Sequence, residues 1–141
     1  MAALTWTADT NVWVRYLTND DPEAAARVMT WLRSADRVHL GVTVILELEW
    51  VLRAAYGFDR AQVQQGLRQV AGLPQVEVAQ AAAVARALDL HAAGLDFADA
   101  LHAALAPQGA VMATLDRGFA AAGAGVGVAV LDLHGGVAVA R

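Results

Sequence analysis

The stretch LTWTADTNVWVRYL, residues 4–17, changes its periodicity midway, as a strand does when it leads directly into a helix. In LTWTA (4–8), apolar and polar residues alternate, and both Trp and Thr favour strands. From Val12 onward the apolar residues return at helical spacing. DTN (9–11) lies between the two patterns and contains residues that cap helices well. The stretch therefore predicts a strand–turn–helix unit with Asp9 at the turn.

Units of this kind recur along the chain and indicate the fold class. The further predicted strands are RVHLGV (37–42), VEV (76–78), AVMATL (110–115) and VGVAVLDL (126–133). Helices are predicted between them, the last ending near Ala122, and the predicted N-caps include Asp21, Thr43, Asp59 and Asp96. Strands that alternate with helices predict an α/β fold with a central, mainly parallel sheet.

The composition favours one globular domain. Of the 141 residues, 57% are hydrophobic and 17% are charged, which excludes a disordered chain. We expect a single domain over residues 1–134 and a loose tail over residues 135–141. The chain has no cysteine. This excludes disulfide frameworks, thiolate metal sites and cysteine nucleophiles, and it suits a reducing cytoplasm.

Neither a targeting segment nor a membrane span is predicted. The first residues, MAALTWTADTN (1–11), lack the basic and apolar regions of a secretory signal. The longest uncharged apolar run, Gly118–Leu131, has 14 residues, whereas a membrane helix needs roughly 20. We therefore expect a cytoplasmic protein that does not associate with membranes.

The charge balance limits how the chain could bind nucleic acid. There are 14 acidic residues against 10 basic ones, which are all arginine, and the net charge is −4. An acidic chain does not bind nucleic acid by bulk electrostatics. It can still contact a phosphate through a bound metal ion.

Two aspartates, Asp9 and Asp116, directly follow predicted strands. In open parallel sheets, ligands bind beyond the carboxyl ends of the strands, which is where these side chains are expected. Each could also be only a helix cap, and Thr10 or Asn11 could cap the first helix equally well. From position alone, both interpretations remain open.

Two glutamates on the helix that follows the second strand differ in their neighbours. Glu49 precedes Arg53 by four residues, the favourable order for an exposed helical ion pair. Glu47 has no basic residue within helical reach. A glutamate in that position needs a cation from elsewhere, so Glu47 is the better candidate ligand.

The stretch GLDFADALH, residues 94–102, contains two aspartates in apolar surroundings. Capping is a complete account of Asp96, which follows Gly94 and Leu95 where a helix begins. Asp99 lies in the first turn, where the helix dipole also favours an anion. An unpaired buried carboxylate is costly, so Asp99 is a second candidate ligand.

Four segments resemble, in order, the signature segments of one protein family. They are ADTNVWVRYLTNDDPEAA (8–25), VTVILELEWVLR (42–53), GLDFADALH (94–102) and TLDRGF (114–119). This series resembles the VapC-type ribonuclease toxins of type II toxin–antitoxin systems, which are PIN-domain nucleases. The resemblance covers nearly the whole chain and implies a three-layer α/β/α domain.

The resemblance also implies a metal-dependent endoribonuclease and assigns its residues. It implies that Asp9 and Asp99 bind Mg²⁺ or Mn²⁺ and that Glu47 and Asp116 complete a catalytic acidic pocket. Four converging carboxylates repel each other, so at least one should have a raised pKa without metal. Asp96, Thr10 and Asn11 are expected to support the site. Arg15, Arg53 and Arg117 are candidates for phosphate contacts, although solvated surface roles explain them equally well.

The resemblance implies two partners, an RNA substrate and a cognate antitoxin protein. Helices that carry Trp13, Trp31 and Trp50 present more apolar surface than a small acidic monomer is expected to hide. We therefore expect a homodimer with a groove for an antitoxin segment.

Two other functions can be weighed against the sequence. A phosphatase of the HAD type needs Asp-x-Asp after the first strand and a catalytic lysine, whereas this chain has DTN (9–11) and no lysine. A non-catalytic PIN-fold binding module would not need all four acids. A serine triad is excluded, because Ser34 is the only serine and lies in a predicted turn.

Overall fold

A computed structural model of the protein describes residues 4–135, and these residues form an α/β fold. The elements, in chain order, are β1 (Thr5–Thr7), α1 (Thr10–Leu17), α2 (Pro22–Ser34), β2 (Arg37–Leu40), α3 (Val42–Ala54), α4 (Arg60–Ala71), β3 (Val76–Val78), α5 (Ala81–Ala92), α6 (Phe97–Leu105), β4 (Met112–Thr114), α7 (Arg117–Gly125) and β5 (Val130–Asp132). All strand pairs between residues 4 and 135 are parallel. The predicted α/β class with parallel strands is therefore confirmed.

The chain divides into two compact units, Met1–Ala81 and Ala82–Arg141, here called the first unit and the second unit. The first unit contains a three-stranded sheet in the order β1-β2-β3. Trp6 pairs with Val38 in one ladder, and Val38 pairs with Val76 in the next. The prediction of one domain over residues 1–134 stays a prediction.

Trp13 is the largest side chain in the core of the first unit. It is 0% exposed, and its ring meets that of Trp31 edge to face at 6.4 Å. Around it α1 packs against α2 and α3, and α3 packs against α4. Trp13 thus belongs to the core and cannot contribute to the partner surface that the sequence suggested for its helix.

The second unit packs α7 against the parallel pair β4-β5. Gly123 makes this close approach possible, because a Cβ atom there would lie only 3.1 Å from a methyl group of Val130. His91 is buried and its ring meets Phe97 edge to face at 5.5 Å. His91 is therefore a packing residue of this unit.

Most of the predicted helix N-caps are confirmed, and one is not. Asp21 and Asp59 cap α2 and α4, and Asp59 forms the full capping box with Gln62. The prediction for Thr43 is wrong: the N-cap of α3 is Gly41, two residues earlier, and it makes no side-chain cap bond. The extended backbone of Gly41 starts the helix through its carbonyl, which accepts from the backbone N–H of Ile45.

Helix α7 continues to Gly125, three residues beyond its predicted end near Ala122. The predicted tail lies outside the described residues, except for Gly135. Between residues 4 and 135, none of the helices combines the length and apolar character needed to cross a membrane.

Candidate functional site

A cleft of about 330 Å³ lies at the beginning of α1 in the first unit. Its walls come from two segments of the chain: the end of the turn before α1 with the first residues of α1, and the middle of α3. The lining residues are Asp9, Thr10, Asn11, Glu47, Trp50 and Val51. The structure therefore brings together four of the predicted site residues of this unit, whereas Arg15 and Arg53 do not line the cleft.

Asp9 is held at the rim of the cleft by its role as a helix cap. Its Oδ1 atom accepts a hydrogen bond from the backbone N–H of Val12 at 3.3 Å, and the side chain is exposed. Within the described part of the chain, no hydrogen bond involves Oδ2. Capping and ligand binding are thus compatible, because the cap occupies only one of the two oxygens.

Thr10 links α1 to Glu47 on α3. The Thr10 side chain is buried, at 6% exposure, and its hydroxyl donates to Oε1 of Glu47. Glu47 is exposed and keeps its second oxygen for another partner. This hydrogen bond holds the Glu47 carboxylate in one orientation, which is the kind of supporting role expected for Thr10.

The predicted ion pair of Glu49 is present, but Glu49 is buried rather than exposed. Its carboxylate pairs with the Arg53 guanidinium at 2.8 Å, as the sequence predicts. However, Glu49 is only 2% exposed, so this is not the exposed ion pair that was expected. The reason is that Glu49 lies on the same face of α3 as Ile45, Leu48 and Leu52, which are all buried.

Asp96 and Asp99 divide two roles at the start of α6 in the second unit. Asp96 is the N-cap, and its Oδ2 accepts from the backbone N–H of Asp99 at 3.2 Å. The Asp99 side chain is half-buried and takes no part in capping. Capping therefore accounts for Asp96 and leaves Asp99 without a structural role in the helix start.

The carboxyl group of Asp99 is electrostatically unfavourable in its ionised form. Its pKa is raised above the ordinary value, first by desolvation and then by the negative charges of Asp96 and Asp116, while His102 opposes the rise. The sequence predicts a raised pKa for one of the acids, and Asp99 has one. A bound cation would relieve this repulsion.

Asp116 lies two residues beyond β4 and caps α7. It is close enough to Asp99 for its negative charge to raise the pKa of that carboxyl group. Its Oδ1 accepts from the backbone N–H of Phe119 at 2.9 Å, and its own backbone N–H donates to the Thr114 hydroxyl at 2.9 Å. The side chain is exposed. Like Asp9, it combines a cap with a carboxylate at the end of a parallel strand.

The four predicted site acids supply the type of donor that fits a hard divalent cation. Carboxylate oxygens are the ligands that Mg²⁺ and Mn²⁺ prefer. Among residues 4–135, no three histidine, aspartate or glutamate side chains lie close enough together to hold a metal ion. Asp9 and Glu47 belong to the first unit, and Asp99 and Asp116 belong to the second.

Two of the three arginines predicted near phosphates are already paired. Arg15 donates to Asp20 at 2.8 Å, and Arg53 donates to Glu49 at 2.8 Å. Arg117 is the first residue of α7 and is exposed. A phosphate would compete with a carboxylate for Arg15 or Arg53, so Arg117 is the best placed of the three.

Sequence reasoning did not assign Trp50 to the cleft. Its side chain is 58% exposed and lines the same cavity as Asp9 and Glu47. The signal was present in the spacing, since Trp50 lies three residues after Glu47 and shares its side of α3. The sequence alone favoured a core or interface role for tryptophan.

Comparison with known protein families supports the resemblance of the four segments at the level of the PIN domain. No curated protein matches the chain significantly. The PIN domain family matches residues 7–125, which include Asp9, Glu47, Asp99 and Asp116. Because this match covers most of the sequence, the chain belongs to the PIN domain family.

Proposed function

We propose that this protein is a metal-dependent endoribonuclease, the toxin of a type II toxin–antitoxin pair of the VapC type. It hydrolyses RNA phosphodiester bonds with the help of Mg²⁺ or Mn²⁺ bound by carboxylates. Its substrate is single-stranded or looped RNA, because an exposed backbone can enter a compact site. It acts in the cytoplasm.

The observation that carries this proposal is the cleft in which Asp9 and Glu47 face a common space within a PIN domain. PIN domains are generally metal-dependent nucleases and usually use Mg²⁺ or Mn²⁺. Each of the two carboxylates uses one oxygen for a hydrogen bond to the protein. The other oxygen of each is suited to a cation.

In the proposed site, Asp9 and Asp99 hold the metal, and Glu47 and Asp116 complete the acidic set. When bound, the metal polarises the scissile phosphate and lowers the pKa of a water molecule. Thr10 keeps the Glu47 carboxylate in one orientation. Asn11 lines the cleft and can hydrogen-bond to the RNA backbone.

The acidity of the chain supports recognition through the site rather than through a basic surface. A net charge of −4 gives little long-range attraction for RNA. Neutralisation of the acids by a divalent cation would remove the local repulsion of the phosphate. Arg117, next to Asp116, then offers an exposed guanidinium.

The proposal also includes an antitoxin and a second copy of the chain. Trp6 is 40% exposed and meets Trp31 edge to face at 6.0 Å, so aromatic surface is present on the first unit. Such surface is typical of protein interfaces. The proposed homodimer and the antitoxin groove rest on this surface and on the resemblance.

Sequencing of RNA ends tests the nuclease activity. Purified protein is added to total RNA with Mg²⁺ or with EDTA, and new ends are mapped. We expect ends at defined positions only with Mg²⁺, and none with Asp9→Asn. Asp59→Asn is the matched control, because Asp59 also caps a helix and asparagine caps equally well. Ends that persist with Asp9→Asn would contradict the proposal.

Expression in cells tests the toxin role. We expect the wild-type protein to arrest growth, Asp9→Asn to be harmless, and the product of an adjacent small gene to restore growth. Light scattering should show a dimer that binds this product. A monomer that ignores it would contradict the assignment of partners while leaving RNA cleavage in place.

A further inference from the structure

Trp50 is a large, exposed aromatic side chain in the cleft that holds the Asp9 and Glu47 carboxylates. It is 58% exposed, whereas Trp13 on α1 is fully buried. The spacing of three residues places Trp50 and Glu47 on one side of α3. The position of Trp50 beside two carboxylates has no explanation in the packing of the fold.

We propose that Trp50 is a specificity-determining residue that stacks on an unpaired base of the RNA, next to the scissile phosphate. This inference rests on the proposed ribonuclease function. Exposed tryptophans are effective stacking platforms, since every base has a π face. The substrate class is thereby narrowed to RNA whose flanking base is free of pairing.

The two carboxylates of the cleft favour a nucleotide over a protein segment. An apolar side chain docked on Trp50 would desolvate Asp9 and Glu47 without giving them partners. A nucleotide combines a flat aromatic face with polar edges and a phosphate. The volume of about 330 Å³ lies at the lower end of the range for small-molecule sites, as expected for one nucleotide.

The test compares binding of an intact single-stranded RNA oligonucleotide with binding of an abasic oligonucleotide of equal length. Metal-free buffer at low salt keeps the RNA uncleaved. We expect the wild-type protein to bind the base-containing RNA more tightly and its tryptophan emission to be quenched. Trp50→Ala should weaken that binding by at least about fivefold. Trp50→Tyr should restore most of it, and neither variant should change binding of the abasic oligonucleotide.

Trp6→Phe is the matched control, because Trp6 is also exposed but does not line the cleft. Trp50→Phe should remove most of the quenching, and Trp6→Phe should leave it intact. Equal binding of both oligonucleotides by the wild-type protein and by Trp50→Ala would overturn the inference. So would a Trp50→Ala variant that binds RNA normally but changes its oligomeric state, which would make Trp50 a protein contact.

Failure of the proposed function would look different. If Trp50→Ala cleaves the same RNA with unchanged KM and kcat, stacking is refuted and the ribonuclease stands. If the wild-type protein neither binds nor cleaves RNA, both proposals are overturned. Trp50 is exposed, so its substitution should leave the fold intact, which circular dichroism can check.

Discussion

At the scale of single residues, three acids of the proposed site also cap helices. Asp9, Asp96 and Asp116 each cap a helix with one oxygen. Asp99 makes no such bond and carries a raised pKa. The ionised form of Asp99 is therefore disfavoured in the metal-free fold.

The sign of this effect gives a prediction for Asp99→Asn. A raised pKa means that the folded state binds a proton more readily than the unfolded chain does. Between the ordinary pKa of about 3.9 and the raised value, stability therefore falls as pH rises. At neutral pH, the ionised Asp99 destabilises the metal-free protein.

We expect Asp99→Asn to abolish cleavage and to leave the free energy of unfolding at neutral pH higher, or unchanged within ~0.5 kcal/mol. It should also remove this contribution to the pH dependence. Urea denaturation at several pH values, without metal, measures both. A loss of ~1 kcal/mol or more at neutral pH would instead indicate a capping role for Asp99.

At the scale of elements, the cleft is formed by α1 and α3. The buried Thr10 hydroxyl joins them through Glu47. Because Thr10 donates to the carboxylate, it orients a proposed metal ligand without contacting the metal. Such supporting residues typically change metal affinity or activity by about 10- to 100-fold.

We therefore expect Thr10→Val to raise the Mg²⁺ concentration needed for half-maximal cleavage by about tenfold or more. Thr10→Ser keeps the hydroxyl and should behave like the wild-type protein. Cleavage rates over a Mg²⁺ series measure the effect, and thermal unfolding checks that the fold is retained. An unchanged Mg²⁺ dependence in Thr10→Val would show that the hydrogen bond has no role in the site.

The elements also show what the sequence could and could not predict. Short-range signals such as Asp21 before Pro22, or Asp59 with Gln62, depend on neighbouring residues and were read correctly. The N-cap of α3 was missed because Gly41 starts that helix with its backbone alone. Helix α7 ends in a local glycine motif: Gly127 has a positive φ, and the backbone N–H groups of Gly127 and Val128 donate to the carbonyls of Ala124 and Gly123. The predicted end near Ala122 did not use this signal.

The candidate site, too, could be predicted only in part from the sequence. Positions after strands made Asp9 and Asp116 candidates but left a capping role open, and the absence of a basic neighbour separated Glu47 from Glu49. The spacing to Arg53 indicated an ion pair for Glu49, but it did not show that Glu49 is buried on the inner face of α3. Trp50 was missed for a related reason, since spacing places it beside Glu47 but does not show that it is exposed.

At the scale of the whole molecule, metal binding and stability should be linked. A ligand that binds only the folded state stabilises it, by ~2.7 kcal/mol at 100 times its Kd. We expect Mn²⁺ to raise the Tm of the wild-type protein and EDTA to reverse the rise. Asp9→Asn or Asp99→Asn alone should abolish it, whereas Asp59→Asn should not. A rise that survives in both Asp9→Asn and Asp99→Asn would place the metal elsewhere.

The central claim is that four acids carry metal-dependent RNA cleavage. The most direct test is the rate of cleavage of one defined RNA at saturating Mg²⁺ by Asp9→Asn, Glu47→Gln, Asp99→Asn and Asp116→Asn. We predict that each variant is slower than the wild-type protein by at least about 100-fold, and that Asp59→Asn is not. Rates within a few-fold of wild type in any of the four would contradict the account.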